Sequence, residues 1–155
     1  MAARPFHILS LCTGGGGLDL GMELAVPATR VVCCVEREAY CGAVLDARME
    51  EQALADAPVW TDLRTFDGRP WRGKVHCITA GYPCQPFSVA GKRLGTDDPR
   101  HIWPDVRRII GEVGPEYVFL ENVAGHIVLG LDAVLGSLAE EIGRASCRER
   151  VSDYV

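Results

Sequence analysis

The sequence predicts an α/β fold with a doubly wound, mostly parallel sheet. Three observations lead there. Short apolar runs with the content of buried strands alternate with helix-like stretches, the order that builds parallel sheets. A block of glycines follows the first apolar run directly, as a strand-to-helix turn requires. Polar residues suited to binding or chemistry collect just after the strand-like runs, where a sheet of this kind takes its ligands. At 155 residues and 48% hydrophobic content, the chain is long enough for one domain and too short for two.

Taken in order, His7 to Cys12 reads as the first strand and runs into Gly14-Gly15-Gly16-Gly17. Leu18, Leu20, Met22 and Leu24 to Val26 begin a helix that Pro27 closes. Arg30 to Glu36 has the continuous apolar content of a buried strand. Glu38 to Leu54, rich in Ala and Glu, reads as the second helix, and Val59 to Phe66 as a weaker strand and turn. Val75 to Ala80 is a strand leading into Gly81-Tyr82-Pro83. Ile102 to Val113 is helical, Tyr117 to Val123 is a fifth strand, and Leu129 to Ile142 reads as a last helix.

Composition removes several classes of function. Charged residues make up 24% of the chain and no apolar run approaches the ~20 residues of a membrane-spanning helix. Met1-Ala2-Ala3-Arg4-Pro5 leads straight into the first strand, so no secretory leader is expected. The seven cysteines contain no C-x-x-C pair and are odd in number, which argues against a disulfide or metal framework. Cys12, Cys33, Cys34 and Cys77 fall inside apolar runs and read as small buried hydrophobes of a reducing, cytoplasmic protein. The net charge of −5 disfavours a stand-alone nucleic-acid-binding domain. Locally the balance differs, because Lys92, Arg93, Arg100, Arg107 and Arg108 outnumber Asp97, Asp98 and Asp105. On composition alone that stretch reads as a solvated loop and helix face.

The residues at the strand ends suggest a ligand. A glycine-rich turn before a helix lets a ligand approach the backbone near the positive helix end. Glu36 follows Gly17 by 19 residues, the spacing at which an acid reaches a ribose hydroxyl. The dinucleotide pattern G-x-G-x-x-G is broken, since Asp19 stands in its third place. An adenosine ligand without a pyrophosphate therefore fits better than a nicotinamide cofactor. Asp62 is placed either to accept from an adenine amino group or to cap a helical turn. In Gly81-Tyr82-Pro83-Cys84-Gln85-Pro86-Phe87-Ser88, two prolines hold a thiol on a stiff turn, a candidate nucleophile. Glu121, at the end of the last strand, reads either as an ordinary acid facing water or as a desolvated one, whose raised pKa would suit proton donation.

On these residues the sequence resembles the N-terminal part of the DNA cytosine-5 methyltransferases. Leu9-Ser10-Leu11-Cys12-Thr13-Gly14-Gly15-Gly16-Gly17-Leu18-Asp19-Leu20-Gly21 is similar to the family's first motif. Gly81 to Ser88 resembles its Pro-Cys-Gln nucleophile loop, and Phe119-Leu120-Glu121-Asn122-Val123 its Glu-Asn-Val motif. An acidic residue and a Phe are usual where Ser10 and Cys12 stand, and an aromatic is common where Arg37 stands. The resemblance covers about residues 8 to 138.

The resemblance implies a Rossmann-like sheet of the S-adenosylmethionine-dependent methyltransferase type. It implies Cys84 as nucleophile on carbon 6 of cytosine and Glu121 as its partner at the base. S-adenosyl-L-methionine would lie on Leu11, Cys12, Gly14, Gly16, Gly17, Glu36, Arg37, Asp62, Leu63, Pro83 and Ile102. Residues Gln85 to Arg100 would close over a flipped base, with Gln85, Ser88, Arg100 and Asn122 meeting double-stranded DNA. The setting implied is cytoplasmic, in a bacterium or phage, with restriction-modification as the typical use. A thiol-dependent or dehydrogenase-like enzyme on the same fold is the disfavoured alternative.

Nothing after Val123 resembles the family's Gln-x-Arg motif, its target-recognition region or its C-terminal helix. Residues 1–141 are therefore expected to be a partial catalytic domain, incomplete at the C-terminus and inactive alone. A partner chain carrying the rest is the alternative. Residues 142–155 are expected to be foreign, since Ile142 to Val151 reads like the translation of a common sequencing-library adapter.

Overall fold

A computed structural model describes residues 5–83, 102–122 and 131–142. Five strands form one sheet, β1 (Phe6–Leu11), β2 (Thr29–Val35), β3 (Val59–Trp60), β4 (Cys77–Ala80) and β5 (Tyr117–Leu120). Their spatial order is β3-β2-β1-β4-β5 and every described pairing is parallel. Helices α1 (Gly17–Ala25), α2 (Ala39–Glu50), α3 (Trp103–Val113) and α4 (Leu131–Ile142) intervene. The doubly wound parallel sheet expected from the alternation is thus the architecture found. The chain walks outward from β1 through β2 to β3, then crosses back to lay β4 on the other side of β1. That reversal opens a crevice between the carboxyl ends of β1 and β4.

Side-chain alternation divides the core into two layers. Leu9, Leu11, Cys33, Val35, Ile78 and Ala80 pack with Val106, Ile109, Ile110 and Val113 of α3. Those four α3 residues follow the i, i+3, i+4, i+7 spacing of one helical face and are all at most 1% exposed. Burying each is worth roughly 1.5–3 kcal/mol. On the other face Ile8, Val31, Cys34 and Cys77 meet Leu45 and Ala57. Cys33, Cys34 and Cys77 are free and buried, as the apolar runs around them predicted.

Some boundaries differ from expectation. The second helix stops at Glu50 rather than Leu54, because Gln52 takes a left-handed φ of 59° and Ala53 and Leu54 both donate back to the Arg48 carbonyl. The Val59–Phe66 segment keeps only two strand residues before a 3-10 turn, Leu63–Thr65. The tail read as foreign lies outside the described residues from 143 onward, but Ile142, its expected first residue, closes α4. No helix among the described residues is long and apolar enough to cross a membrane.

Asp19, which broke the dinucleotide pattern, is buried at 2% exposure. Its Oδ2 accepts the Ser10 hydroxyl of β1 at 2.5 Å and its Oδ1 the Thr79 hydroxyl of β4 at 2.7 Å. Burial pushes this carboxyl above the usual aspartate range, and the two hydroxyls pull it part of the way back. Asp19→Ala leaves two buried hydroxyls without their acceptor and is expected to cost about 2–3 kcal/mol in urea unfolding. A carboxyl with a raised folded pKa holds its proton more tightly when folded. Its linked stability is complete below the ordinary aspartate value of 3.8 and is lost as pH rises from there to the elevated folded value. Asp19→Asn should remove that stretch of the pH–stability curve, and an unchanged slope would contradict the assignment.

Candidate functional site

The chain leaves β1 through Cys12 and Gly14, both with positive φ (52° and 58°). The loop turns back so that Thr13 N–H donates to the Val35 carbonyl at 3.3 Å, and Gly16 N–H donates to the Thr13 carbonyl at 3.1 Å. Gly14 needs its glycine for the left-handed turn, since a Cβ there would touch nothing. Gly16 needs its own for φ (78°) and for space, because a Cβ would stand 2.7 Å from Leu54 Cδ1.

At the end of β2, Glu36 carries both of its oxygens to backbone. Oε2 accepts Gly14 N–H at 2.6 Å and Oε1 accepts Glu38 N–H at 2.7 Å. One carboxylate thus ties the glycine loop to the start of α2. At the end of β3, Asp62 caps the 3-10 turn, Oδ1 accepting Arg64 N–H at 3.0 Å. The Trp60 indole braces the same turn by donating to the Asp62 carbonyl at 3.1 Å and to Thr65 Oγ1 at 3.2 Å.

These strand ends enclose a cleft of about 380 Å³. Cys12, Gly14, Glu36, Arg37, Asp62, Leu63, Pro83 and Ile102 line it, so most of the residues expected at the cofactor are brought together. Leu11, Gly16 and Gly17 do not line it. Leu11 is wholly buried in the core below, Gly16 is turned against α2, and Gly17 starts α1. Cys12 is likewise corrected, from a buried core thiol to a half-buried one facing the cleft. The cause is its positive φ, which carries it out of the strand.

Val35, Glu38, Cys41, Arg64 and Gly81 complete the lining and had not been anticipated. Four of them are sequence neighbours of expected residues, or one removed, which was the available signal. Cys41 arrives through the first turn of α2 and had no sequence cue. Three carboxylates (Glu36, Glu38, Asp62) face two guanidinium groups (Arg37, Arg64), a balance that favours a cationic ligand over a polyphosphate. Among the described residues no cluster of three or more His, Cys, Asp or Glu side chains could hold a metal ion.

Of the residues expected to carry the chemistry, Glu121 stands beside Gly81 of this cleft. Pro83 is the last described residue before Cys84; Cys84, Gln85, Ser88 and Arg100 lie outside the described residues. Glu121 N–H donates to the Ala80 carbonyl at 2.9 Å, and its Oε2 stands 3.5 Å from where a Gly81 Cβ would be. Of the two readings of Glu121, the structure shows the water-facing one: its side chain is exposed. Asn122 Nδ2 donates to the Tyr82 carbonyl at 3.1 Å, bracing the exit of β4 that leads to Cys84.

The family model for the C-5 cytosine-specific DNA methylases matches residues 6–129. The chain belongs to that family. Among curated proteins it is 35% identical over 120 residues to the type II methyltransferase M.NgoMIV of Neisseria gonorrhoeae, covering 77% of this chain and 36% of that one. It is 36% identical over 128 residues to M.PspPI of a Psychrobacter strain, covering 79% of this chain and 28% of the relative. The chain thus spans about a third of the length of these relatives. Among solved structures, the DNMT2 of Spodoptera frugiperda superposes with a TM-score of 0.68 at 21% identity, over 88% of this chain and 41% of that one. The DNMT2 of S. pombe superposes with a TM-score of 0.66 at 20% identity, over 87% and 41%. Both likenesses bear on the fold.

In this family member the Cys12 thiol is pushed up to about 12, by burial first and by the Glu36 charge second. At pH 8 only about one part in ten thousand is thiolate. Iodoacetamide at that pH should leave Cys12 unmodified in the folded chain and label it in urea, as read by peptide mass spectrometry. Rapid labelling of Cys12 while Cys33 and Cys34 stay protected would contradict this environment.

Proposed function

We propose that this chain is the cofactor-binding and nucleophile-bearing part of a DNA cytosine-5 methyltransferase, with S-adenosyl-L-methionine as its cofactor. The observation that carries the reading is one cleft at the strand-order reversal. It holds Glu36 and Asp62 on its walls and Pro83, the residue before Cys84, at its mouth.

The residues present fit that cofactor. Each Glu36 oxygen accepts one backbone N–H and keeps a lone pair for a ribose hydroxyl. Asp62 gives one oxygen to the turn and is free at the other to take an adenine amino group in this reading. Val35, Leu63 and Ile102 offer apolar surface to a flat base, and the acidic excess suits a sulfonium cation. When bound, S-adenosylmethionine supplies an electrophilic methyl group.

The protein's own part is to make carbon 5 of cytosine able to accept it. In this reading the Cys84 thiolate adds to carbon 6, so that carbon 5 becomes enamine-like. Glu121 contacts N3 and the exocyclic amine, relieving charge as the thiolate adds. Loss of the carbon 5 proton and expulsion of Cys84 then restore the ring. The target base has to leave the duplex first, at a cost of a few kcal/mol of unstacking. With a net charge of −5, phosphate contacts fall to local cations such as Lys92, Arg93 and Arg100, or to protein beyond this chain.

Calorimetry with S-adenosylhomocysteine tests the cleft. Glu36→Gln should weaken binding about tenfold or more, since an amide cannot accept both backbone N–H groups. Unchanged affinity would remove Glu36 from the site. For catalysis, Cys84→Ser in a version extended to the length of the relatives should abolish covalent trapping on 5-fluorocytosine duplex; persistent trapping would exclude Cys84 as nucleophile. The chain alone is expected not to turn over, and robust methyl transfer to duplex DNA would overturn that expectation.

A further inference from the structure

The turn that brings Asp62, Leu63 and Arg64 to the cleft has little backbone structure of its own. Two residues of β3 precede it and a three-residue 3-10 turn carries it. Much of its support comes from α3. Arg108 Nη1 donates to the Phe66 carbonyl at 2.9 Å, and Nη2 donates to the Leu63 carbonyl at 2.9 Å and reaches the Arg64 carbonyl at 3.4 Å. Nη1 also meets both oxygens of Glu112 at 3.1 Å, one helical turn further on. Glu112 Oε2 accepts Gly68 N–H at 2.8 Å, and Asp105 Oδ1 stands 3.6 Å from Nη2. The helix that carries this clamp is preceded by Ile102, which lies on the cleft.

We propose that Arg108, oriented by Glu112, is a positioning residue that sets the adenosine side of the cleft. It locks the 62–66 turn onto α3, so that Asp62 and Leu63 on the turn and Ile102 at the helix start form one wall. This rests on reading the cleft as the cofactor site. An arginine suits the task because its planar fork reaches several carbonyls in fixed directions at once, and a lysine ammonium on a flexible stem does not. It also changes the reading of Arg108, from part of a solvated helix face to a clamp on the carbonyls of the 62–66 turn.

The test uses the full chain with Arg108→Met, Arg108→Lys and Glu112→Gln, and Arg48→Met as a charge control on α2. Arg48 pairs with Glu51 on the surface, away from the clamp. Three quantities are read: amide hydrogen exchange without ligand, the dissociation constant of S-adenosylhomocysteine, and the urea midpoint. In Arg108→Met, exchange over residues 62–68 should rise while β1 stays protected. Affinity should fall about tenfold, the weight of one charge-assisted hydrogen bond, after correction for the folded fraction. Arg108→Lys should not restore it, Glu112→Gln should give a smaller loss, and Arg48→Met should match the wild-type chain. Unchanged exchange in the turn, affinity equal to wild type in Arg108→Met, or full rescue by lysine would overturn the proposal. Wild-type chain that binds no S-adenosylhomocysteine would instead overturn the cofactor reading, which separates the two failures.

Discussion

The Asp19 carboxyl, buried beneath the glycine loop, joins α1 to the two strands that matter most. It takes one hydroxyl from β1 and one from β4, the neighbours between which the strand order reverses. The crevice above that reversal exists only if β1 and β4 stay in register and α1 stays seated over them. A buried acid is expensive unless its oxygens are satisfied, so Ser10 and Thr79 are as necessary as Asp19. The three polar groups form a closed set inside an apolar layer, and such a set specifies one arrangement of helix and strands rather than several.

Above that junction the cleft is assembled largely by carboxylates accepting backbone N–H groups. Glu36 joins the glycine loop to α2, and Asp62 folds the end of β3 into its turn. Each acid therefore shapes the cavity that it also lines. Charge-assisted hydrogen bonds of this kind are short and directional, which suits a wall made of loops rather than of long elements. Cys12 adds a small, proton-bearing thiol beside Glu36, and its elevated pKa keeps it chemically quiet in a chain whose proposed work rests on a different cysteine.

The far wall depends on α3. Its apolar face anchors the helix in the core through Val106, Ile109, Ile110 and Val113, and its polar face holds the 62–66 turn through Arg108 and Glu112. The same helix is preceded by Ile102 at the cleft and packs near α4, where Arg107 pairs with Glu140 at 2.9 Å. Helix packing and cleft shape are for this reason not separable here. Asn122 ties the residues just past β5 to the exit of β4, so Glu121 and the Tyr82-Pro83 segment share one anchor.

The order of strands and helices was readable from the sequence, because buried parallel strands are continuous apolar runs and α3 shows a clean helical period. The candidate site was readable where residue type and position coincide: glycines after a strand, an acid at the end of β2, a proline-flanked thiol after β4. Tertiary structure alone decided what distant segments do to one another. No local pattern shows that Asp19 would sit under Ser10 and Thr79, that Cys41 would reach the cleft, or that Arg108 would turn inward to carbonyls more than 40 residues earlier. Periodicity and propensity report what a segment prefers over one or two turns. Hydrogen bonds across such separations exist only once the sheet has brought the segments together.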